Sequence, residues 1–195
     1  EVLAGARKIQ TSAPYLEGMV ELQDASSQAV VQALPLAEGM RVLDLCAGGG
    51  GKTLALAARA RLRLFAHDAD PRRMRDLPPR ATRAGAKVTL TENPEKTAPY
   101  DLVLTDVPCS GSGSWRRDPE GKWRLTPDRL SALTTLQARI MDRAAAMLRP
   151  GGVLAYATCS LLAEENEAQV AAFLGRHAGW IAKTQKRFSP LTGGD

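Results

Sequence analysis

The amino-acid sequence predicts an α/β domain, an open and mostly parallel sheet with helices wound over both faces. Three observations carry that expectation. Short apolar runs of strand length alternate with amphipathic segments of helix length; a run of four glycines joins the first such strand to the helix after it; and no repeat or long polar linker breaks the alternation. Successive β-α-β units of this kind close by right-handed crossovers and place ligand sites beyond the carboxyl ends of the strands.

The elements follow in order. After a lead-in segment over residues 1–22, residues 24–34 read as a helix, with Ala25, Ala29, Val30 and Ala33 sharing a face and Asp24 or Ser26 as the cap. Residues 41–45 follow a turn at Gly39 and have the continuous apolar character of a strand buried on both faces, and Gly48 to Gly51 lead into a helix over 53–61. A second strand over 63–67 ends at Asp68. The helical segment after it is expected to be interrupted or ended by Pro78 and Pro79, because proline lacks the N–H that a helix interior needs. Strands over 86–90 and 100–105 come next, then a loop over 108–127 and a long helix over 127–148, stopped by Arg149-Pro150-Gly151-Gly152. A fifth strand over 153–158 and a helix over 164–174 complete a Rossmann-like, doubly wound α/β domain, read as a single domain over residues 1–195.

Composition narrows the function classes. With 195 residues, 44% apolar and 24% charged, the chain can bury a core and is not collagen-like, low-complexity or wholly disordered. The excess of 26 basic over 21 acidic side chains, a net +5, permits a nucleic-acid partner without demanding one. Three widely spaced cysteines, Cys46, Cys109 and Cys159, with no histidine cluster beside them, point to a reducing, cytoplasmic compartment and to no metal site. No stretch approaches the roughly 18 apolar residues of a membrane span.

The chemistry-bearing residues sit at strand ends. Asp44-Leu45-Cys46-Ala47-Gly48-Gly49-Gly50-Gly51-Lys52-Thr53 brings backbone close to a ligand and turns it into a helix, as a nucleoside-like ligand requires. Two phosphate-binding patterns fail there by one residue each: GxxxxGK[ST] needs glycine at Cys46, and GxGxxG from Gly48 needs glycine at Thr53. A purely structural glycine turn is the alternative. Asp68, at the second strand's end, stands where such sites carry an acid for ribose hydroxyls, although it could equally cap a helix and Asp70 competes for either role. Cys109 and Cys159 occupy matching ends of the fourth and fifth strands in polar, turn-forming loops. Each alone reads as a small hydrophobe; the pair reads as nucleophile chemistry.

These residues resemble the S-adenosylmethionine-dependent RNA cytosine-C5 methyltransferases of the Sun/Fmu type over nearly the whole chain. The resemblance rests on residues 23–28, the loop from Asp44 to Thr53, Asp106-Val107-Pro108-Cys109-Ser110-Gly111, Arg117-Asp118-Pro119, Lys122-Trp123, Leu136-Gln137, Pro150-Gly151-Gly152, and Tyr156-Ala157-Thr158-Cys159-Ser160 with Glu165-Asn166-Glu167. It implies a class I methyltransferase fold, with Cys159 as the nucleophile, Cys109 assisting product release and Asp106 against the base or cofactor. It also implies that Cys46, Ala47, Gly48, Gly49, Gly50, Gly51, Lys52, Asp68 and Asp106 line S-adenosylmethionine, and that the partner is RNA, ribosomal RNA being expected. The chain departs from the family at Gly48-Gly49, where Ala-Pro is common, and after the third strand, where Glu92 and Asn93 stand near the position of an adenine-contacting Asp; Asn93 is favoured. The family also continues past Gly193-Gly194-Asp195 into a final strand, so the expected sheet lacks an edge strand.

Two basic clusters differ in promise. Arg72, Arg73, Arg75, Arg80 and Arg83 read as a solvated face, whereas Arg116, Arg117, Lys122 and Arg124 flank Trp115 and Trp123 close to Cys109, a pattern suited to stacking on bases and holding phosphates. Competing readings are a methyltransferase acting on a protein, a small molecule or an exocyclic base amine, which needs neither cysteine, and a non-catalytic RNA-binding module that keeps the fold.

Overall fold

A computed structural model describes residues 6–188. The end at Gly193-Gly194-Asp195, and the expectation of a missing strand that rests on it, lie outside those residues. After a 3-10 turn over Ala6–Thr11 and a short helix α1 (Ala13–Leu16), the elements are α2 (Ala25–Gln32), β1 (Arg41–Asp44), α3 (Gly51–Arg59), β2 (Arg63–Ala66), α4 (Leu77–Arg83), β3 (Val88–Leu90) and β4 (Tyr100–Asp106). They continue with α5 (Glu120–Arg124), α6 (Pro127–Ala146), β5 (Leu148–Ala157) and α7 (Glu167–Arg176). The five strands form one sheet in the order β3-β2-β1-β4-β5, and every pairing is parallel.

Alternation of side chains along the central strands sets the two cores. Val42 of β1 and Leu102 and Leu104 of β4 pack with Val31 and Leu56 of α2 and α3, while Leu43 of β1 and Val103 of β4 pack with Ala144 and Met147 of the α6 end. The apolar runs read as doubly buried strands are therefore covered on both faces, as parallel strands require. Asp24 caps α2 by accepting from the Ser26 N–H at 2.8 Å, and Thr126 caps α6 by accepting from the Arg129 N–H at 3.2 Å.

Two expectations need correction. Pro78 and Pro79 do not break a helix; they lie in the first turn of α4, where the missing N–H has no intrahelical partner to lose. Likewise Arg149-Pro150-Gly151-Gly152 does not stop the long helix, which already ends at Ala146, but sits inside β5. Register along β4 advances from Tyr100 to Leu102 while its partner jumps from Leu148 to Val153, so the Pro-Gly-Gly segment bulges out of the ladder, with Gly151 at φ 75°.

Candidate active site

Between β1 and β4 the chain reverses its direction of travel across the sheet, and the loops leaving their carboxyl ends part to form a crevice. A cleft of about 270 Å³ opens there. It is lined by Cys46, Ala47, Gly48, Gly49, Gly51 and Lys52 of the glycine loop, by Gln23 just before α2 and Ser27 in its first turn, and by Asp44, Arg73 and Asp106. Gly50 does not line it; at φ 84° it turns the chain into α3, and a Cβ there would lie 2.4 Å from Leu77 Cδ1.

Asp68 works behind the loop. Its Oδ2 accepts from the Gly48 N–H at 3.0 Å and lies 3.2 Å from Arg73 Nη1, and its Oδ1 accepts from the Asp70 N–H at 3.0 Å. Asn93 is not brought to the cleft: it is exposed and precedes the 3-10 turn Pro94–Thr97, with its side chain making no cap there. Asp44, to which sequence reasoning gave no role, lines the cleft. Its Oδ2 accepts from Thr53 Oγ1 at 2.7 Å, while its Oδ1 is buried with no hydrogen-bond partner among the described residues. Burial drives its pKa up to about 7, against the hydrogen bond from Thr53, with Asp106 adding repulsion. Lys52 Nζ sits 2.7 Å from Asp106 Oδ2 and 3.3 Å from Ser27 Oγ, placing a cation at the floor of the cleft.

The strand pairing explains why two cysteines meet. Asp106 pairs with Ala157 at the ends of β4 and β5, and the Val107 N–H donates to the Ala157 carbonyl at 3.0 Å, so Cys109 and Cys159 leave the sheet side by side. Their sulfurs are 3.2 Å apart. The loops are stitched directly: the Gly113 N–H donates to the Cys159 carbonyl at 2.9 Å, the Leu161 N–H donates to Ser112 Oγ at 2.8 Å, and the Ser112 and Ser160 hydroxyls are 3.0 Å apart. Asn166 Nδ2 ties down the Ser160 and Leu162 carbonyls. The hydrogen bond from Cys109 lowers the Cys159 pKa against its burial, and the same contact together with burial raises that of Cys109. One sulfur is thus poised as thiolate and the other as its proton-bearing neighbour. Cys46 is different: burial, and then the carboxylates of Asp44, Asp68 and Asp106, push it up to about 12, so it stays a thiol.

The structure thus gathers Cys109, Cys159, Asp106, Lys52 and the loop from Cys46 to Gly51, with Asp68 directly behind, and leaves Asn93 apart. Of the basic clusters, the first is spent on ion pairs: Arg72 with Asp70, Arg73 with Asp68, and Arg80 and Arg83 with Glu21 of the lead-in segment. In the second, Arg124 pairs with Asp118 and Arg117 lies 3.7 Å from Asp24, while Trp123 is 81% exposed beneath the Lys122 ammonium. His67, given no chemistry, is buried and its Nδ1 meets the Thr91 carbonyl at 2.9 Å.

A doubly wound sheet with a glycine-loop cleft and paired thiols at adjacent strand ends is the build of a Rossmann-like methyltransferase domain. The chain matches the family described as 16S rRNA methyltransferase RsmB/F over residues 31–192, and it belongs to that family. It is 40% identical over 193 residues to the ribosomal RNA small subunit methyltransferase B of Xanthomonas campestris, covering 91% of this chain and 44% of that protein. A putative methyltransferase of Mycobacterium tuberculosis is also 40% identical, over 93% of this chain and 42% of its own length. Among solved structures, PH0851 superposes with a TM-score of 0.78 at 35% identity, over 86% of this chain and 40% of that one. NSun6 from Pyrococcus horikoshii, solved with the S-adenosylmethionine analogue SFG, gives 0.75 at 26% identity over 86% and 45%. The chain therefore spans less than half the length of these relatives. Among the described residues no helix is long and apolar enough to cross a membrane.

Proposed function

We propose that this chain forms the catalytic part of an RNA cytosine-C5 methyltransferase that uses S-adenosylmethionine and acts on small-subunit ribosomal RNA. The observation that carries this reading is the pair of sulfurs 3.2 Å apart, beside a cleft that Asp106 shares with the glycine loop. Methylation of an exocyclic amine, a protein or a small molecule needs neither thiol. The names and the analogue-bound structure of the relatives support the substrate and the cofactor.

The residues fit that cofactor. The backbone of Cys46 to Lys52 and the unpartnered, buried Oδ1 of Asp44 would hold it, the latter suiting a cationic donor group, with Asp68 the acid nearest the loop for ribose hydroxyls. When bound it supplies an electrophilic methyl group. The cytosine must be unpaired or flipped from its stack to reach the thiols.

Cys159 as thiolate adds to carbon 6, which makes carbon 5 nucleophilic enough to take the methyl. Asp106, paired with Lys52 in the cleft, would sit against the base or the cofactor. Release then requires loss of the carbon 5 proton, whose electron pair restores the ring double bond and expels the Cys159 thiolate, and Cys109 assists that step. Trp123, Lys122 and Arg124, in the segment after Cys109, would hold flanking RNA by stacking and charge. The test is methyl incorporation into ribosomal RNA followed by nucleoside mass spectrometry. The native full-length protein should yield 5-methylcytidine and Cys159→Ala none, with cofactor binding intact; 5-methylcytidine formed by Cys159→Ala would overturn the assignment.

A further inference from the structure

Glu165 is fully buried, and the chemistry above gives it no part. Its Oε1 accepts from the Ser110 N–H at 2.8 Å and from Gln137 Nε2 at 2.9 Å, and its Oε2 accepts from the Ser110 hydroxyl. Gln137, equally buried, also donates to the Pro108 carbonyl at 3.0 Å. Cys109 is therefore held on both flanks, at Pro108 and at Ser110, by side chains that stand 28 and 56 residues further along the chain. Glu165 in turn is anchored to the strand that delivers Cys159, because Tyr156 of β5 donates its hydroxyl to the Glu165 carbonyl at 2.6 Å. A carboxylate is costly to bury, and packing alone would be served by an apolar residue of the same volume. Three donors converging on this one, two of them from Ser110, mark it as a tie between the two cysteine loops.

We propose that Glu165 is a positioning residue that sets Cys109 against Cys159, acting through Ser110; the proposal rests on the reading of Cys109 as the release-assisting thiol. Cys159 has ties outside the Cys109 loop, since Asn166 accepts from the Thr158 hydroxyl at 2.7 Å and donates to the Ser160 carbonyl at 3.0 Å, so loss of the Glu165 carboxylate displaces Cys109 and leaves the nucleophile in place. Addition of Cys159 to carbon 6 and methyl transfer then continue. The later step slows, in which the carbon 5 proton leaves, its electron pair restores the ring double bond and the carbon–sulfur bond to Cys159 breaks. Protein accumulates as a covalent complex with RNA.

The experiment expresses the full-length native protein, Glu165→Gln, Ser110→Ala and Cys109→Ala in cells and measures the fraction of soluble protein retarded by nuclease-sensitive RNA on a denaturing gel. Cys109→Ala should show the most. Glu165→Gln should rise about tenfold above the native level, short of the roughly hundredfold loss that misplacing a reacting group by a full ångström can produce. Ser110→Ala should shift less and in the same direction, and it decides the matter alone if Glu165→Gln does not fold. Adding Glu165→Gln to Cys109→Ala should change nothing, since no thiol is left to position. A purely structural role lowers the soluble yield and leaves the retarded fraction at the native level; that result, alongside an adduct in Cys109→Ala, overturns the proposal. Absence of adduct in Cys109→Ala itself overturns the release role on which it rests.

Discussion

The glycine loop after β1 takes its shape from its own backbone, whereas the cysteine loops after β4 and β5 take theirs from side chains that reach in from elsewhere. In the first, Gly48 and Gly50 adopt positive φ and one carboxylate, Asp68, receives the Gly48 amide from behind. In the second, Ser112, Gln137, Ser160, Glu165 and Asn166 hold two loops separated by 50 residues at a sulfur contact of 3.2 Å. The difference separates binding from chemistry. A cofactor cradle needs amides in a fixed curve, which local conformation supplies. Two thiols proposed to act at successive steps of one reaction need a mutual distance, which long-range ties supply.

Substitutions that harm one region and spare the other test this division. The largest effect is expected at Gly50, where alanine must take φ 84° and place its Cβ 2.4 Å from Leu77 Cδ1. A left-handed non-glycine residue and an overpacked contact together cost about 2–5 kcal/mol, to be read from denaturant unfolding, and calorimetry should find S-adenosylmethionine binding lost. Next comes Gly113→Ala, whose Cβ would meet the Cys159 carbonyl at 2.9 Å and push the two loops apart. Here the cost is about 1–3 kcal/mol, methyl transfer should fall, and cofactor affinity should hold.

A smaller effect concerns the thiols. Cys109 lowers the Cys159 pKa to about 7 by hydrogen bonding, so alkylation of Cys159 should follow a pH profile displaced to low pH. In Cys109→Ala the donor is gone and the midpoint should move upward; an unchanged profile would mean that the sulfur contact does not activate the nucleophile. A last effect, on stability alone, is expected at Asp44. Its folded pKa of about 7 lies above the unfolded value of about 3.9, so the folded state binds the extra proton in between. Its contribution to stability is complete below the unfolded value and is lost as pH rises through the folded one. The ligand-free native protein should therefore lose melting temperature between about pH 4 and about pH 7 and level off above that, and Asp44→Asn should lose less over the same range.

How far the sequence carried each region follows from the same contrast. Short apolar runs located all five strands, most plainly β1 and β4, which are buried on both faces and must be apolar throughout, and the glycine loop was legible because few other residues accept its conformations. Pro78 and Pro79 misled because proline reads as a breaker unless the start of the helix is known, and that start is at Leu77. The Pro150-Gly151-Gly152 bulge within β5 was hidden in the same way: only the ladder with β4 shows that the strand already runs at Leu148. The paired cysteines stood out as a pattern, yet Glu165 and Gln137 were visible only as parts of a family resemblance. Their role lies in hydrogen bonds to Pro108 and Ser110, and no local periodicity encodes those. Asp44 was read as part of a strand, since its missing partner appears only in three dimensions.

The central claim is that Cys159 forms a bond to cytosine that Cys109 helps to break. The most direct measurement is a denaturing gel of Cys109→Ala taken from cells, with and without nuclease, beside the Cys109→Ala/Cys159→Ala double variant. A retarded, nuclease-sensitive band is expected in the single variant and should disappear in the double. A retarded band that persists without Cys159, or a folded, cofactor-binding Cys109→Ala protein that never acquires one, would contradict it.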